Sequence, residues 1–213
     1  MSRFPLRFRR LAGDRKGIAI VEFALLVPVL FTLFLGSYET ARLLLCYLKL
    51  ESAAETAADL IAQIPQSSGG TNVYLVASGS TNGWDFANIG NAVSQVMTPF
   101  PAAGLTIVYA SIIYSNCTTT CTATVDWTYP SGSTTFGAAG STATNLPNGA
   151  ATTTLGGTNN DSVIVVKVTY SYTSPLGYVL HTNYTLSESA FNRPRYVICV
   201  PTYMDASNSC PNT

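Results

Sequence analysis

An otherwise apolar run with one carboxylate, at residues 18–38, constrains this chain more than any other feature of its sequence. At the rise of an α-helix, a run of this length extends roughly 30 Å, about the thickness of the hydrocarbon layer of a bilayer. One acidic residue, Glu22, lies inside the run. A carboxylate in lipid is energetically costly, so we interpret Glu22 as a functional group that requires a partner.

The charges of the chain are distributed unevenly, although the formal net charge is zero. Residues 1–17 contain six basic and one acidic side chain, whereas the remaining 196 residues contain five basic and ten acidic ones. Basic residues that flank a membrane span favour the cytoplasmic side. We therefore expect the amino end in the cytoplasm and the bulk of the chain outside it. The basic segment is interpreted as a topological signal, with no nucleic-acid partner.

Composition predicts three regions. Residues 1–17 form a basic leader peptide, residues 18–64 form one long helix with a transmembrane span at 18–38, and residues 65–213 form an exported α+β domain. Strong helix formers continue beyond the span until Pro65 ends the helix. Four apolar positions in this outer part are predicted to share one buried side of the helix: Leu44, Leu48, Ala58 and Ile61.

Pro28 interrupts the predicted span. A proline inside a helix removes one backbone hydrogen bond and tends to kink the preceding turn. Two interpretations stay open, a helix break that bends or melts when the helix packs into an assembly, and an ordinary kink of a membrane helix.

The sequence of the predicted exported part indicates one short helix and a small antiparallel sheet. Phe86, Ile89 and Val93 recur at helical spacing before Pro99. Alternating and β-branched runs predict four strands, at residues 105–114, 122–129, 161–172 and 178–191. Between the second and third strands, residues 131–160 have the composition of a flexible loop. The predicted fold class is α+β, with the upper half of the long helix packed on the sheet.

Four cysteines fall in the predicted exported part, an even number that indicates two disulfides in an oxidising compartment. Of the three possible connectivities we favour the local pairs, Cys117–Cys121 and Cys199–Cys210. The Cys-x3-Cys spacing and the absence of a nearby histidine argue against a zinc site. Cys46, on the long helix, is expected to be a small buried apolar group or, alternatively, to pair with another chain.

The sequence argues against an enzyme. It contains a single histidine, His181, and neither a Gly-x-Ser-x-Gly elbow nor a phosphate or dinucleotide loop. We therefore expect no catalytic residues, no cofactor and no metal. Arg193 and Arg195 are expected to be a solvated pair at a sheet edge, with a salt bridge or a partner contact that locks the carboxyl end as the alternative.

Several segments resemble the TadE-like minor pilins of bacterial tight-adherence (Flp-type, type IV-like) pilus systems. The resemblance is closest over residues 13–64, and looser similarity covers residues 161–196. The amino-terminal segments that carry it are Arg15-Lys16-Gly17-Ile18, Glu22-Phe23-Ala24-Leu25 and Pro28. The later ones are residues 163–172, 174–176, 187–190 and 193–195.

The resemblance implies a pilin-like fold, a processing step and a set of partners. A prepilin peptidase would cut between Gly17 and Ile18, so that Glu22 becomes the fifth residue. Other implied partners are the minor and major pilins of the same system, the inner-membrane assembly platform and the lipid bilayer. Major Flp-type pilins are very short, whereas this chain continues for about 150 residues beyond the helix. The implied function is therefore a minor pilin, or pseudopilin, that initiates pilus assembly or lies at the tip.

Cleavage would place an ammonium group at Ile18, one helical turn from Glu22. When subunits pack helix against helix, the ammonium group of a neighbour can meet this carboxylate and relieve two isolated charges. Glu22, with Phe23 beside it, would then set the register between subunits. The other interpretation is that Glu22 extends to the lipid headgroups.

The implied location is the inner membrane, as a single-pass protein with a periplasmic or extracellular carboxyl domain, and whether the protein stays there or enters the surface pilus is left open by the sequence. The alternative function is a membrane-anchored or tip-displayed adhesin without a role in assembly. Such an adhesin would bind a surface through its polar loop and through aromatics such as Trp84 and Trp127. Aromatic side chains of this kind more often pack inside a sheet protein.

Overall fold

The structure, a computed structural model, describes residues 15–65, 75–80, 84–117, 121–147 and 161–200. Helix α1 spans Arg15–Ala62 and helix α2 spans Phe86–Val96, followed by a 3-10 turn at Ala102–Gly104. The strands are β1 (Leu105–Ser115), β2 (Thr122–Tyr129), β3 (Ser162–Tyr172) and β4 (Tyr184–Asn192). This α+β architecture, a long apolar helix packed on a small sheet, confirms the predicted fold class.

The four strands form one antiparallel sheet in the order β2-β1-β3-β4. The two inner strands, β1 and β3, pair without interruption from Leu105↔Tyr170 to Ile113↔Ser162. Residues 163–166 of β3 are buried on both faces. A strand that is covered on both sides has a continuous apolar sequence instead of an alternating one, which explains the Val-Ile-Val-Val run.

Contacts divide the chain into two compact units. The first contains the chain through Leu44 together with Thr173–Asn183, and the second contains Leu45–Tyr172 and the chain from Tyr184 onwards. Helix α1 therefore contributes residues to both units.

In the second unit, both faces of the sheet are covered. On one face, Ile112, Val125 and Val165 pack around Phe136, which comes from the segment after β2. That segment also pairs with β2, because the Ala143 amide donates to the Ala123 carbonyl at 2.8 Å. The predicted loop continues into residues 148–160, which lie outside the described part of the chain.

On the other face, helix α2 contributes an aromatic cluster. The Phe86 ring stacks on Tyr129 with a centroid separation of 3.9 Å and lies 5.0 Å from the Tyr109 ring. Asp85 caps the helix, since its Oδ1 accepts a hydrogen bond from the Asn88 amide at 2.6 Å. The helix predicted from the spacing of Phe86, Ile89 and Val93 is confirmed.

The carboxyl-terminal part of α1 buries a stripe of mostly small side chains in the second unit. The members of this stripe are Cys46, Leu50, Ala53, Ala54, Ala57, Ala58, Ile61 and Ala62. Alanines let the helix backbone approach its neighbours closely. The prediction that Leu44 and Leu48 share the buried side was wrong, because they are 58% and 51% exposed. The buried stripe passes through Cys46 and Leu50, which leaves these two leucines on other sides of the helix.

The fourth strand begins at Tyr184, not at residue 178 as the sequence predicts. Residues 178–180 have the apolar and aromatic side chains of a strand. Their amides, however, donate to the side chain of Glu39 instead of to a neighbouring strand. A tertiary contact has therefore overridden the local propensity.

Candidate functional site

The amino-terminal part of α1 has an exposed apolar surface. Its large exposed side chains include Ile18, Ile20, Val21, Phe23, Leu25, Leu26, Val29, Leu30, Phe31, Leu33 and Phe34. An 18-residue window of this helix has a mean hydropathy of 2.6, and none of it is buried within the chain. Within the described residues, this is the one helix long and apolar enough to cross a membrane. A water-exposed patch of this size would be unfavourable, so the surface requires lipid or protein around it.

Glu22 and Phe23 lie on this apolar surface. Both side chains are exposed, and Ile18 is exposed one turn earlier on the same helix. Among the described residues, Glu22 makes no hydrogen bond or ion pair. Its carboxylate is thus not neutralised by the part of its own chain that the structure describes.

Gly17 precedes Ile18 near the start of the helix. Apart from its chain neighbours and the backbone of its own helix, no atom of the described residues lies within 4 Å of the position that a Cβ would take on Gly17. Packing among the described residues therefore does not require glycine here.

The helix continues through Pro28. The Thr32 hydroxyl donates to the Pro28 carbonyl at 2.8 Å, and the Ser37 hydroxyl donates in the same way to the Leu33 carbonyl at 2.7 Å. Hydroxyl groups that are satisfied inside the helix suit an apolar environment, where no water competes for them.

Glu39, the first residue after the predicted span, has the densest set of polar contacts among the described residues of the first unit. Its side chain is buried, and the loop Thr173–Asn183 surrounds its carboxylate. Oε1 accepts from the Ser174 hydroxyl at 3.0 Å and from the Tyr178 amide at 2.8 Å. Oε2 accepts from the amides of Val179 and Leu180 at 2.8 Å and 2.9 Å.

The loop sequence explains this geometry. Gly177 adopts a positive φ of 60°, a conformation that glycine reaches without steric cost. Gly177 directly precedes the three consecutive amides that converge on the carboxylate. The Gly177 amide donates to the Ser174 hydroxyl at 3.4 Å, which orients that hydroxyl toward Glu39.

These contacts set the charge state of Glu39. Burial by itself would raise the pKa of the carboxyl group, but the hydrogen bonds from the three amides and from Ser174 outweigh it and lower the pKa to about 2. The group is therefore ionised at neutral pH. It holds the loop against the helix as an anion.

Sequence reasoning missed Glu39, which resembled any other charged residue of the outer helix. Two signals were present. An acid stands directly after the apolar run, and a Ser-Pro-Leu-Gly turn is followed by an uncharged apolar segment. Their connection spans more than 130 residues of sequence, so no local pattern reveals it.

The cysteines occupy different environments. Cys117 and Cys121 form a disulfide between the end of β1 and the start of β2, one of the two local pairs expected from the sequence. Cys199 is also disulfide-bonded, whereas its expected partner Cys210 lies outside the described residues. Cys46 is fully buried in the helix stripe, in line with a small apolar role.

Arg193 and Arg195 form ion pairs, so the favoured expectation of a solvated pair was wrong and the alternative is observed. Arg193 lies 2.9 Å from the Asp161 carboxylate. Arg195 pairs with Asp59 of α1, and its backbone amide donates to the Ala62 carbonyl at 2.9 Å. These contacts tie the segment after β4 to the end of the helix.

The remaining candidates are a histidine and two tryptophans. His181 is exposed, and its Nδ1 lies 3.0 Å from the Val179 carbonyl oxygen. Trp127 is buried and donates from its indole nitrogen to the Val200 carbonyl at 2.8 Å, while Trp84 is half-buried. Trp127 is therefore not available to bind a surface. In the described part of the chain, no three His, Cys, Asp or Glu side chains are grouped as metal ligands.

The family model of TadE-like proteins matches residues 17–59, which confirms the resemblance over that segment. No curated protein and no solved structure matches the chain. The match covers the apolar helix with Gly17, Glu22, Pro28 and Glu39. It shows that residues 17–59 are TadE-like, and the TadE-like family consists of pilus-associated proteins with a structural instead of a catalytic role. The looser similarity over residues 161–196 lies outside the matched segment and stays a prediction.

Proposed function

We propose that this protein is a minor pilin, or pseudopilin, of a tight-adherence pilus. Residues 18–38 cross the inner membrane, with the amino end in the cytoplasm and the second unit on the periplasmic or extracellular side. The observation that carries the proposal is the exposed apolar run at residues 18–38, which contains a single acid and lies within the segment that matches the TadE-like family.

A prepilin peptidase removes residues 1–17 by cutting between Gly17 and Ile18. The open space around Gly17 supports this step, because packing among the described residues does not explain the glycine. Cleavage gives Ile18 a free ammonium group. The basic leader holds the site on the cytoplasmic side until then.

In the assembled pilus, the carboxylate of Glu22 pairs with the amino terminus of an adjacent subunit. The exposed carboxylate lacks a partner within the described residues of its own chain, and lipid cannot hydrate it. Pairing relieves both isolated charges and fixes the register of the two helices, as a buried polar residue does in a coiled coil. The exposed ring of Phe23 packs beside the pair.

The folded second unit makes this subunit much larger than a helix alone. We assign it to the initiation of pilus assembly on the inner-membrane platform or to the tip, in contact with other minor and major pilins.

The processing step is tested with the full chain, expressed with and without its peptidase. Intact mass and amino-terminal sequencing of the membrane-bound product identify its first residue. We expect Ile18 as the first residue with the peptidase and the complete leader without it. Gly17→Ala should keep the leader, because the added methyl group blocks the peptidase and not the fold.

Gly90→Ala is the matched control. Gly90 lies in helix α2, and its Cβ position is equally open. This variant should be processed normally. An assembled pilus that contains the unshortened chain would contradict the proposal.

A further inference from the structure

We propose that the loop Thr173–Asn183 is a membrane-interface anchor whose exposed Leu176, Tyr178 and Val179 side chains insert between lipid headgroups. This inference rests on the proposed insertion of residues 18–38 in a bilayer. It adds a second lipid contact, made by a segment that is distant in sequence from the helix.

The position of the loop along the helix carries the argument. The Tyr178 hydroxyl lies 3.4 Å from the Thr32 hydroxyl, and a Cβ on Gly36 would lie 3.5 Å from a Val179 methyl group. Thr32 precedes Glu39 by seven residues, which is roughly 10 Å along a helix axis. The loop thus lies beside the last two turns of the predicted span. A bilayer that covers residues 18–38 has to accommodate these side chains as well.

The composition of the loop fits that location. It contains no Asp, Glu, Lys or Arg. Leu176, Tyr178 and Val179 are 50%, 49% and 48% exposed, so about half of each apolar side chain is free to contact lipid. Tyrosine is enriched at membrane interfaces, where its ring lies among the headgroups and its hydroxyl remains hydrogen-bonded.

The backbone amides of the loop are hydrogen-bonded within the protein, which suits an environment with little water. Irregular backbone is unfavourable near hydrocarbon unless its polar groups are satisfied by the protein. Here the amides of Tyr178, Val179 and Leu180 all donate to Glu39, and the Gly177 amide donates to Ser174. In return, the loop covers the Glu39 carboxylate, which would otherwise face lipid at the end of the span. The carboxylate and the loop therefore make each other compatible with the interface.

Depth-dependent quenching tests this placement in the full chain. Single tryptophans are introduced by Leu176→Trp, by Leu30→Trp within the span and by Glu51→Trp on the exposed outer part of α1. Each chain is reconstituted in phosphatidylcholine–phosphatidylglycerol vesicles that contain lipid brominated either near the headgroup or near the chain end. The emission of Trp84 and Trp127 is measured in the unmodified chain and subtracted.

We expect bromine near the headgroup to remove most of the emission added by Leu176→Trp, and bromine near the chain end to remove much less. Glu51→Trp should keep its emission with both lipids. If Leu30→Trp is quenched and Leu176→Trp is not, the loop proposal is wrong while the membrane span stands. If Leu30→Trp is not quenched, the insertion itself fails, and both proposals are overturned.

Glu39→Gln tests how the loop is held. We combine it with Leu176→Trp and expect lipid brominated near the headgroup to quench the introduced tryptophan less. The reason is that an amide cannot accept all four hydrogen bonds. Glu55→Gln, which neutralises an exposed carboxylate on the same helix, should leave quenching unchanged. Ser174→Ala removes one of the four bonds and should have an intermediate effect. Equal quenching in all these chains would show that Glu39 does not position the loop.

Discussion

Two of the acidic side chains of helix α1 lie in contrasting surroundings, Glu22 inside the apolar segment and Glu39 directly after it. Glu39 is buried and receives four hydrogen bonds from the loop Thr173–Asn183. Glu22 is exposed on an apolar surface and has no hydrogen bond or ion pair among the described residues. One acid is satisfied by its own chain, and the other has no such partner in the part that is described.

The contrast separates a structural role from an intermolecular one. A carboxylate that is fully hydrogen-bonded inside its own unit stabilises that unit and has no capacity left for a partner. A carboxylate that enters lipid without a partner is stable only when another molecule supplies the opposite charge. The two acids are therefore expected to respond differently to the same substitution.

The largest effect is expected for Glu22→Gln, which removes the charge with little change in shape. Loss of one member of a buried ion pair costs about 3–5 kcal/mol, so each subunit contact should weaken on the order of 100-fold or more. Pilus yield by electron microscopy and the amount of sheared pilin measure this loss. Processing at Gly17 and the folding of the isolated subunit should not change. Normal pili built from chains that carry Glu22→Gln would contradict the intermolecular role.

The next largest effect is expected for Glu39→Gln, and it should appear in the isolated subunit. Amide hydrogen exchange at Tyr178, Val179 and Leu180 should accelerate several-fold or more, since their acceptor is lost. Exchange in β1 and β3 should not change, because that substitution lies outside the second unit. If Glu22→Gln accelerates exchange in the loop to the same extent, the distinction between the two acids fails.

Lowering the pH should also accelerate hydrogen exchange of the loop amides in the unmodified chain. The pKa of Glu39 is lowered from 4.5 to about 2, so its contribution is fully present above about pH 4.5 and is lost as the pH falls toward about 2. Hydrogen exchange of the loop amides, measured in steps across that range, follows the transition. His181→Asn, which removes the basic side chain of the loop, is the control and should leave the transition in place. A transition that is complete above pH 4.5 would contradict the assigned cause.

The smallest effect is expected for a third acid, Asp59, whose ion pair with Arg195 is partly exposed. The Arg195 and Asp59 side chains are 53% and 34% accessible, so solvent screens their attraction. Arg195→Ala should lower the free energy of unfolding by only about 0.2–1 kcal/mol in a urea titration. A loss of several kcal/mol would show that this pair stabilises the helix end far more than its exposure suggests.

Local sequence patterns predicted much of the second unit. The strand at residues 122–129 has the predicted bounds, and those at 105–114 and 161–172 differ from them by one residue. In these strands the apolar residues either alternate with polar ones or follow each other without a break, and this pattern indicates which faces of the strand are buried. The start of β4 was wrong because residues 178–180 donate their amides to Glu39.

The candidate site residues also differ in whether the local sequence reveals them. The unusual position of Glu22, an acid within an apolar run, is visible in the sequence itself. The roles of Glu39 and Arg195 depend on partners 135 or more residues away. Such contacts exist only after the chain has folded, which is why local patterns assigned Glu39 no role and predicted that Arg195 is a solvated charge.

Zero-length cross-linking of assembled pili tests the intermolecular role of Glu22 most directly. An apolar carbodiimide enters the hydrocarbon region and couples a carboxylate to an amine that touches it. Peptide mass spectrometry then identifies the bond. Isotopic labelling of this chain distinguishes a link to another subunit from a link to its own Ile18. We expect an amide bond between Glu22 and the amino terminus of an adjacent subunit. If the carbodiimide modifies Glu22 without coupling it to an amine, or couples it only to Ile18 of the same chain, the intermolecular role is contradicted.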